Sequence, residues 1–386
     1  MDARARDPRA AEVKLEKMAE NPSALFRGTA SIFFAQLQYK EGTLDGPVVT
    51  CVGDAHPRNA GVQPGAGEKA VFGINDFDEA ARAPFTYDIK RLATGVALLA
   101  RECGKKVEPL VEAMLRGYRE ALDKDGGLCS IELADAKGPV RDALEKAEEA
   151  SPREFLKKHL DLDTGRFRDS AGLTRVTDST TLAELTDAAR AALAPLPHAG
   201  GFDLGALELR DAGAVTTKGV GSLGRKRWHV FVEYPSRRGK EQLIVEVKEE
   251  LRSVLADYVT TPQPRSDNEA TRVVEARAVE LAHADPLFCA ALVEGVPCIV
   301  RRVDQRKLDV AFDKLSKQEL RQYAEQCGAV WANAHVASAP SAKEEIRQAV
   351  NKDGFARDVA ESAERYADWF EKAYKTMMDM RKAGEL

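Results

Sequence analysis

The sequence is poor in the features that announce several common classes of protein. Its 6 cysteines stand at Cys51, Cys103, Cys129, Cys289, Cys298 and Cys327, with no C-x-x-C pair. That scatter argues against a structural zinc site or a disulfide framework and leaves them as small buried side chains. No apolar run approaches the ~20 residues needed to cross a bilayer. The start, from Met1 to Lys14, is charged and lacks the apolar stretch of a secretory leader. Positive charge is not in excess: Lys+Arg 57 against Asp+Glu 62 gives a net charge of -5, so nothing global draws the chain to nucleic acid or to an anionic membrane. Internal repeats, low-complexity segments and a Walker A loop are missing as well. A cytoplasmic protein without nucleic-acid or membrane partners is the expectation, and oligomeric state leaves no signal.

What is present describes an ordinary folded chain. It has 386 residues, 44% hydrophobic and 31% charged, which exceeds the ~250–300 residues at which single cores stop growing. Two lobes are therefore expected, in an α+β arrangement. Residues 1–45 and the segment 87–196 read as helical, the latter with apolar residues at helical spacing such as Leu92, Val96 and Leu99. Pro47–Val52, Ala70–Ile74, Trp228–Tyr234, Leu243–Lys248 and Val296–Val303 read as strands. Ser266 with Glu269, and Ser316 with Glu319, have the spacing of capping boxes that open helices. The resulting division is a helical lobe in two parts, 1–200 and 306–386, around a β-rich lobe at 201–305.

Two turns concentrate chemistry. Gly53-Asp54-Ala55-His56-Pro57-Arg58-Asn59 follows one short strand, and Asn75-Asp76-Phe77-Asp78-Glu79 follows the next. Hard Mg²⁺ favours carboxylate and amide oxygens together with substrate phosphates, which suits Asn59, Asp76 and Asp78. Asp54 then remains free to accept a proton from a substrate hydroxyl, in the D-x-x-x-x-N plus D-F-x arrangement of phosphoryl transfer. Read singly, each turn is better explained by Asx turns and solvated carboxylates; together, in this order, the two favour the functional reading. Gly219-Val220-Gly221-Ser222-Leu223-Gly224 joins two strands instead of opening a helix, so it suits a hairpin folded over phosphates and not a dinucleotide site. Lys248 ends the following strand where a phosphate-binding ammonium would sit, with Glu275 or Glu280 of the next helix as its acidic partner. A flexible turn and a snorkelling strand-end lysine are the plainer readings. Asp88, ahead of an apolar helix, reads as a cap or loop brace, and His56 and His335 as hydrogen-bonded structural groups.

The set has a familiar look. Gly53-Asp54-Ala55-His56-Pro57-Arg58-Asn59 resembles the catalytic loop of aminoglycoside-phosphotransferase-like and choline-kinase-like enzymes, and Ile74-Asn75-Asp76-Phe77-Asp78 resembles their metal strand. With Phe26-Arg27-Gly28, Asp88-Ile89-Lys90-Arg91-Leu92, Val220-Gly221-Ser222-Leu223-Gly224 and Arg272-Val273-Val274-Glu275, nearly the whole chain resembles a bacterial family catalogued as domain of unknown function 2252. The order of the pieces is inverted relative to an ordinary kinase, since the catalytic turns precede the glycines and the lysine. The helix at 316–335, similar to the one that normally runs into the catalytic loop, lies near the C-terminus. A circularly permuted, two-lobed protein-kinase-like fold accounts for this order. Two departures stand out: Val52 replaces the usual His, and only 11 residues separate Asp76 from Asp88, too few for a protein-kinase activation loop.

The resemblance implies an ATP- and Mg²⁺-dependent phosphotransferase acting on a small hydroxyl acceptor. Gly219, Gly221, Ser222, Gly224, Lys248 and Glu275 would bind nucleotide, Asn59, Asp76 and Asp78 would bind metal, and Asp54 would act on the acceptor. A nucleotide sensor without turnover, an AMP-transferring enzyme and a metal-dependent hydrolase are the rival readings.

Overall fold

A computed structural model of the protein describes residues 8–66, 69–124, 130–170, 172–196, 206–216, 224–236, 239–280 and 285–386. Helices α1 (Pro8–Met18), α2 (Pro22–Gly28) and α3 (Ala30–Glu41) lead into β1 (Val48–Cys51), β2 (Ala60–Pro64), β3 (Ala70–Ile74) and β4 (Ala81–Pro84). Then come α4 (Thr86–Glu102), α5 (Glu108–Leu122), α6 (Gly138–Glu149), α7 (Pro152–His159), the short β5 (Leu160–Asp161), β6 (Arg166–Phe167) and β7 (Leu173–Arg175), and α8 (Ser179–Leu193). The sheet region holds β8 (Glu208–Val215), β9 (Arg227–Ser236), β10 (Gly239–Glu249), α9 (Glu269–Glu280), β11 (Phe288–Val293) and β12 (Val296–Val303). Helices α10 (Lys317–Ser338), α11 (Lys343–Asn351) and α12 (Phe355–Lys382) complete the chain. Among the described residues no helix is long and apolar enough to cross a membrane.

The architecture is mixed α and β. A six-stranded antiparallel sheet runs in the order β11-β12-β10-β9-β8-β7, and β1 pairs with β4 and β2 with β3 in separate ribbons. Strand periodicity sorts the sheet's two faces. Trp228, Val230, Val232, Val245, Val247, Cys298 and Val300 form one core with Leu185, Ala189 and Leu193 of α8. The alternate positions Arg227, His229, Glu246, Lys248 and Arg301 fall on the other face and are charged or polar. They meet the helical body, whose larger core gathers Phe26, Phe33, Tyr87, Leu92, Tyr118, Tyr323, Trp331 and Tyr366. Its centre is the α5–α10 crossing, where a Cβ on Gly328 would lie 1.9 Å from the Met114 carbonyl oxygen, so only glycine permits that approach.

Several elements differ from the sequence reading. The stretch 160–175 holds β5, β6 and β7 within what reads as a helical block. The sheet's edge strand β7 and its covering helix α8 both precede residue 201, so the sheet layer starts near Leu173. Strands β2 and β4 went unread because Gly61 and Pro64 in the one, and Arg82 and Pro84 in the other, break the apolar run. The Ser316–Glu319 capping box forms on α10. The Ser266–Glu269 pair does not: Asn268 Oδ1 accepts from Thr271 N at 3.0 Å, and Ser266 Oγ donates to Glu275 instead.

The α5–α10 contact gives a direct test. Gly328→Ala should lower unfolding stability by about 2–3 kcal/mol through overpacking, read from urea denaturation of the variant against the parent chain.

Candidate active site

The cleft between the charged sheet face and the helical body has a volume of about 460 Å³. Its floor is the pair of turns singled out in the sequence. Gly53 makes the first turn possible: its φ is +81°, and a Cβ there would lie 1.9 Å from the Glu79 carbonyl oxygen, which locks the two turns together. The first turn of α4 holds this turn from below. Asp88 accepts from Val52 N at 2.7 Å and Gly53 N at 3.0 Å, and His335 Nε2 lies 3.1 Å from its second oxygen. Tyr118 Oη meets His335 Nδ1 at 2.8 Å, so α4, α5 and α10 all brace the turn. Asp88 and His335 thus do the structural work expected of them, and they do it where Val52 stands in place of the usual His. Cys51, Asp88 and His335 come close enough to suggest a buried metal cluster. Both His335 nitrogens and both Asp88 oxygens already have hydrogen-bond partners, so the cluster is a brace.

Three residues after Asp88 on the same helical face, Arg91 reaches Asp54. The guanidinium is fully buried, bonds Asp54 Oδ1 through Nε at 3.0 Å and through Nη2, and lies 4.2 Å from the Phe26 ring centroid. Burial alone would raise the Asp54 carboxyl, but Arg91 and then His56 outweigh it and hold it far below the usual carboxylate range. His56 Nε2 stands 3.6 Å from Asp54 Oδ2, and burial pushes its imidazole toward the neutral form. Asp54 is therefore a fixed, permanently charged acceptor aimed into the cleft.

Asn59 links the two turns. Its Nδ2 donates to the carbonyl oxygens of Asp54 at 3.2 Å and Asp76 at 2.9 Å, leaving Oδ1 for a ligand. Asp76 keeps 40% of its side-chain surface open, yet burial by the cleft walls and the charge of Asp78 push its carboxyl up to about 6. Asn59 Oδ1 and the Asp76 carboxylate, the latter crowded by like charge, suit a hard divalent cation. Asp78 does not join them. Its oxygens are taken by Lys248 and by Arg225 Nη1 at 2.8 Å, and these cations, against burial, hold it well below the ordinary range.

Lys248 completes the floor from the sheet. Its ammonium is fully buried, 3.5 Å from Asp76 Oδ2 and 3.2 Å from Glu250 Oε1, and it bonds both oxygens of Asp78. The expected partner Glu275 is not involved: it is exposed and accepts from Ser266 Oγ at 3.1 Å. The side chain of Glu280, and Gly219, Gly221 and Ser222, lie outside the described residues. Gly224 is described, with φ +86°, just before Arg225. The sequence reading missed Arg91, Arg225 and Glu250, and it gave no role to Arg272. Arg225 pairs with Asp78, Glu79 at 3.2 Å and Glu250 at 3.1 Å, while Arg272 of α9 donates to the carbonyl oxygens of Asp78 at 2.8 Å and Ala80 at 2.7 Å. The runs Gly224-Arg225-Lys226-Arg227 and Lys248-Glu249-Glu250 carried the signal for Arg225 and Glu250, as charges flanking the two motifs, and Arg91 and Arg272 stood within motifs quoted without a role.

In class, this is a mixed α and β chain with a cation- and carboxylate-lined cleft between a sheet and a helical body. A family model described as "Uncharacterized protein conserved in bacteria (DUF2252)" matches residues 6–380, and the chain belongs to that family. No curated protein and no solved structure matches it.

Two measurements test this electrostatic picture. Asp54→Asn leaves the buried Arg91 guanidinium without its counter-charge, so the variant should lose about 3 kcal/mol in urea unfolding. A solvated turn carboxylate would cost far less to replace. Burial and the charge of Asp78 push the Glu250 carboxyl up to about 8 from an ordinary 4.5. A native value raised in this way contributes stability that is whole below the ordinary value and lost as pH climbs through about 8. The Tm of Glu250→Gln should therefore rise relative to the parent between pH 6 and pH 9.

Proposed function

We propose that the protein is an ATP- and Mg²⁺-dependent phosphotransferase of circularly permuted, protein-kinase-like design, acting on a small hydroxyl acceptor. The observation that carries this reading is the meeting of Lys248, from the sheet, with Asp76 and Asp78, from a turn some 170 residues earlier in the chain. Permutation is supported by α10, which is similar to the helix that normally precedes a catalytic loop. Its Ser338 Oγ accepts from Thr50 N at 3.0 Å and its His335 holds Asp88, so it touches that loop across the chain.

Asn59 and Asp76 would hold Mg²⁺, which supplies neutralising charge for the phosphates. Lys248, anchored by Asp78 and Glu250, keeps its positive charge in the buried floor. Arg227 and Arg301, which share Glu246, add positive charge on the sheet face. Asp54 orients the acceptor hydroxyl. The hydroxyl oxygen bonds to the γ-phosphorus as the bond from that phosphorus to the bridging oxygen breaks, ADP departs, and the hydroxyl proton passes to Asp54 and then to water. A carboxylate so strongly acidified is a weak base. It suits a loose transition state in which the proton leaves late and positioning does most of the work. A metal-dependent hydrolase would use the carboxylates but leave Lys248 without a task.

The described cleft lining offers an adenine ring little, since Val303 is its apolar residue. Recognition therefore rests on phosphates, and ATP and GTP should bind within ~10-fold of each other. MgATP should raise the Tm by mass action. Asp76→Asn, at a partly exposed position, should keep its fold and lose turnover by about 10²-fold or more. Mass spectrometry of products separates γ-phosphoryl from AMP transfer and from binding without turnover. Full ATP consumption by Asp76→Asn would remove the assignment.

A further inference from the structure

Phe26-Arg27-Gly28 stands out in the sequence, yet phosphoryl transfer as described gives Arg27 nothing to do. The residue sits at the last turn of α2, and its side chain lines the cleft. Its Nε is enclosed without any hydrogen-bond partner, and among the described residues the guanidinium makes no ion pair. The opposite charge that acts on it most strongly is Asp54, already committed to Arg91. The like charge that acts on it is Arg58, which is held by Glu102 at 2.7 Å and by the Phe312 ring at 4.6 Å. Burial and Arg58 together depress the hold of Arg27 on its own proton, as they must for a desolvated cation facing another. A cation kept in this condition, beside the carboxylate that orients the hydroxyl, is costly unless an anion joins it.

Among the described residues that line the cleft, Lys307 is another cation without an ion pair. Lys307 lies by Arg301 and Asp76, and Arg301 first, then burial, push its ammonium down to about 8. The donor phosphates account for Lys307, because the metal ligand Asp76 and the sheet arginines stand there. They do not account for Arg27, which belongs to the Asp54 side. A guanidinium presents a planar fork matched to carboxylate or phosphate oxygens.

We propose that the hydroxyl acceptor is itself an anion, whose phosphate or carboxylate is gripped by Arg27 while its hydroxyl reaches Asp54. This rests on the phosphotransferase reading of the same cleft and narrows its substrate to small anionic hydroxyl compounds. Neutral sugars and amino alcohols are disfavoured by the same charge, since they would leave the half-buried Arg27, with its enclosed Nε, unpaired in the complex.

The test is calorimetric titration of the full chain with inorganic phosphate, and separately with acetate, after Mg²⁺ and a non-hydrolysable ATP analogue have filled the donor end. The parent should bind one of the two anions at millimolar concentration. Arg27→Gln should weaken that binding at least tenfold, and Arg27→Lys should fall between. Without ligand, Arg27→Gln should melt no lower than the parent, because the removed charge has no partner, and this separates lost binding from lost fold. The preferred anion identifies the acceptor's group as phosphate or carboxylate. Equal anion binding by parent and Arg27→Gln, or none by the parent, overturns the proposal even where the ATP analogue binds. Failure of the analogue to bind counts against phosphotransfer instead, and the same titration without nucleotide still tests Arg27.

Discussion

The arrangement depends on one buried ammonium. Lys248 ends up with no solvent exposure, and a lysine taken wholly out of water persists only where fixed anions surround it. Asp76 and Asp78 supply carboxylates from the turn after β3, and Glu250 sets a third carboxyl group beside the ammonium from its own chain two residues on. Burial would lower the lysine's hold on its proton, yet these three carboxyl groups more than offset it and raise it. The sheet and the carboxylate turn must therefore meet at this point. Arg225 and Arg272 add to the junction from either side, the first through charge and the second through backbone carbonyls.

The helical body contributes rigidity to the other half of the floor. Backbone N–H groups of Val52 and Gly53 point at Asp88, which is itself fixed by His335 and through it by Tyr118. Tyr323 of α10 donates to the carbonyl oxygens of Pro57 at 2.6 Å and Ala60 at 3.0 Å, and so fixes the far end of the same turn. The charged groups at the cleft thus sit on a turn whose backbone is held by buried aromatic and imidazole side chains. That is what preorganisation of a site requires, because a carboxylate displaced by even 1 Å loses much of its value in positioning a reacting group.

Parts of this were legible in the amino-acid order, and the reasons are local. Asp54, Asp76 and Lys248 could be singled out because each closes a short apolar run, and Asn59 because it stands five residues after Asp54, a spacing that phosphate chemistry uses. The helix opened by Ser316 could be placed because a capping box is written in residues three apart. What stayed hidden was long-range. Glu275 was a reasonable partner for Lys248 by analogy, but pairing across 27 residues depends on how α9 is rotated, and α9 turns that carboxylate outward to Ser266. Asp78 read as a metal ligand because its two cations, Lys248 of β10 and Arg225 just ahead of β9, lie far away in the chain. The charged face of the sheet was present as alternation in β10, where Glu246 and Lys248 interleave with Val245 and Val247. Its meaning appears only when the facing strands supply Arg227 and Arg301.

The charges also explain what the cleft is not built for. Asp76, Asp78, Glu79 and Glu250 crowd around Lys248 and Arg225, so four carboxyl groups face two cations at the floor, and the crowding pushes Glu250 up to about 8. Above it, Arg27 and Lys307 are cations without ion pairs among the described residues. A fold selected for stability alone would exchange such groups for apolar ones of similar size, since buried pairs seldom repay their desolvation. Two opposite imbalances in one 460 Å³ space make sense together only if ligands complete them, a cation at the carboxylate floor and anions above it. Their cost to the empty protein is of the kind that functional sites retain.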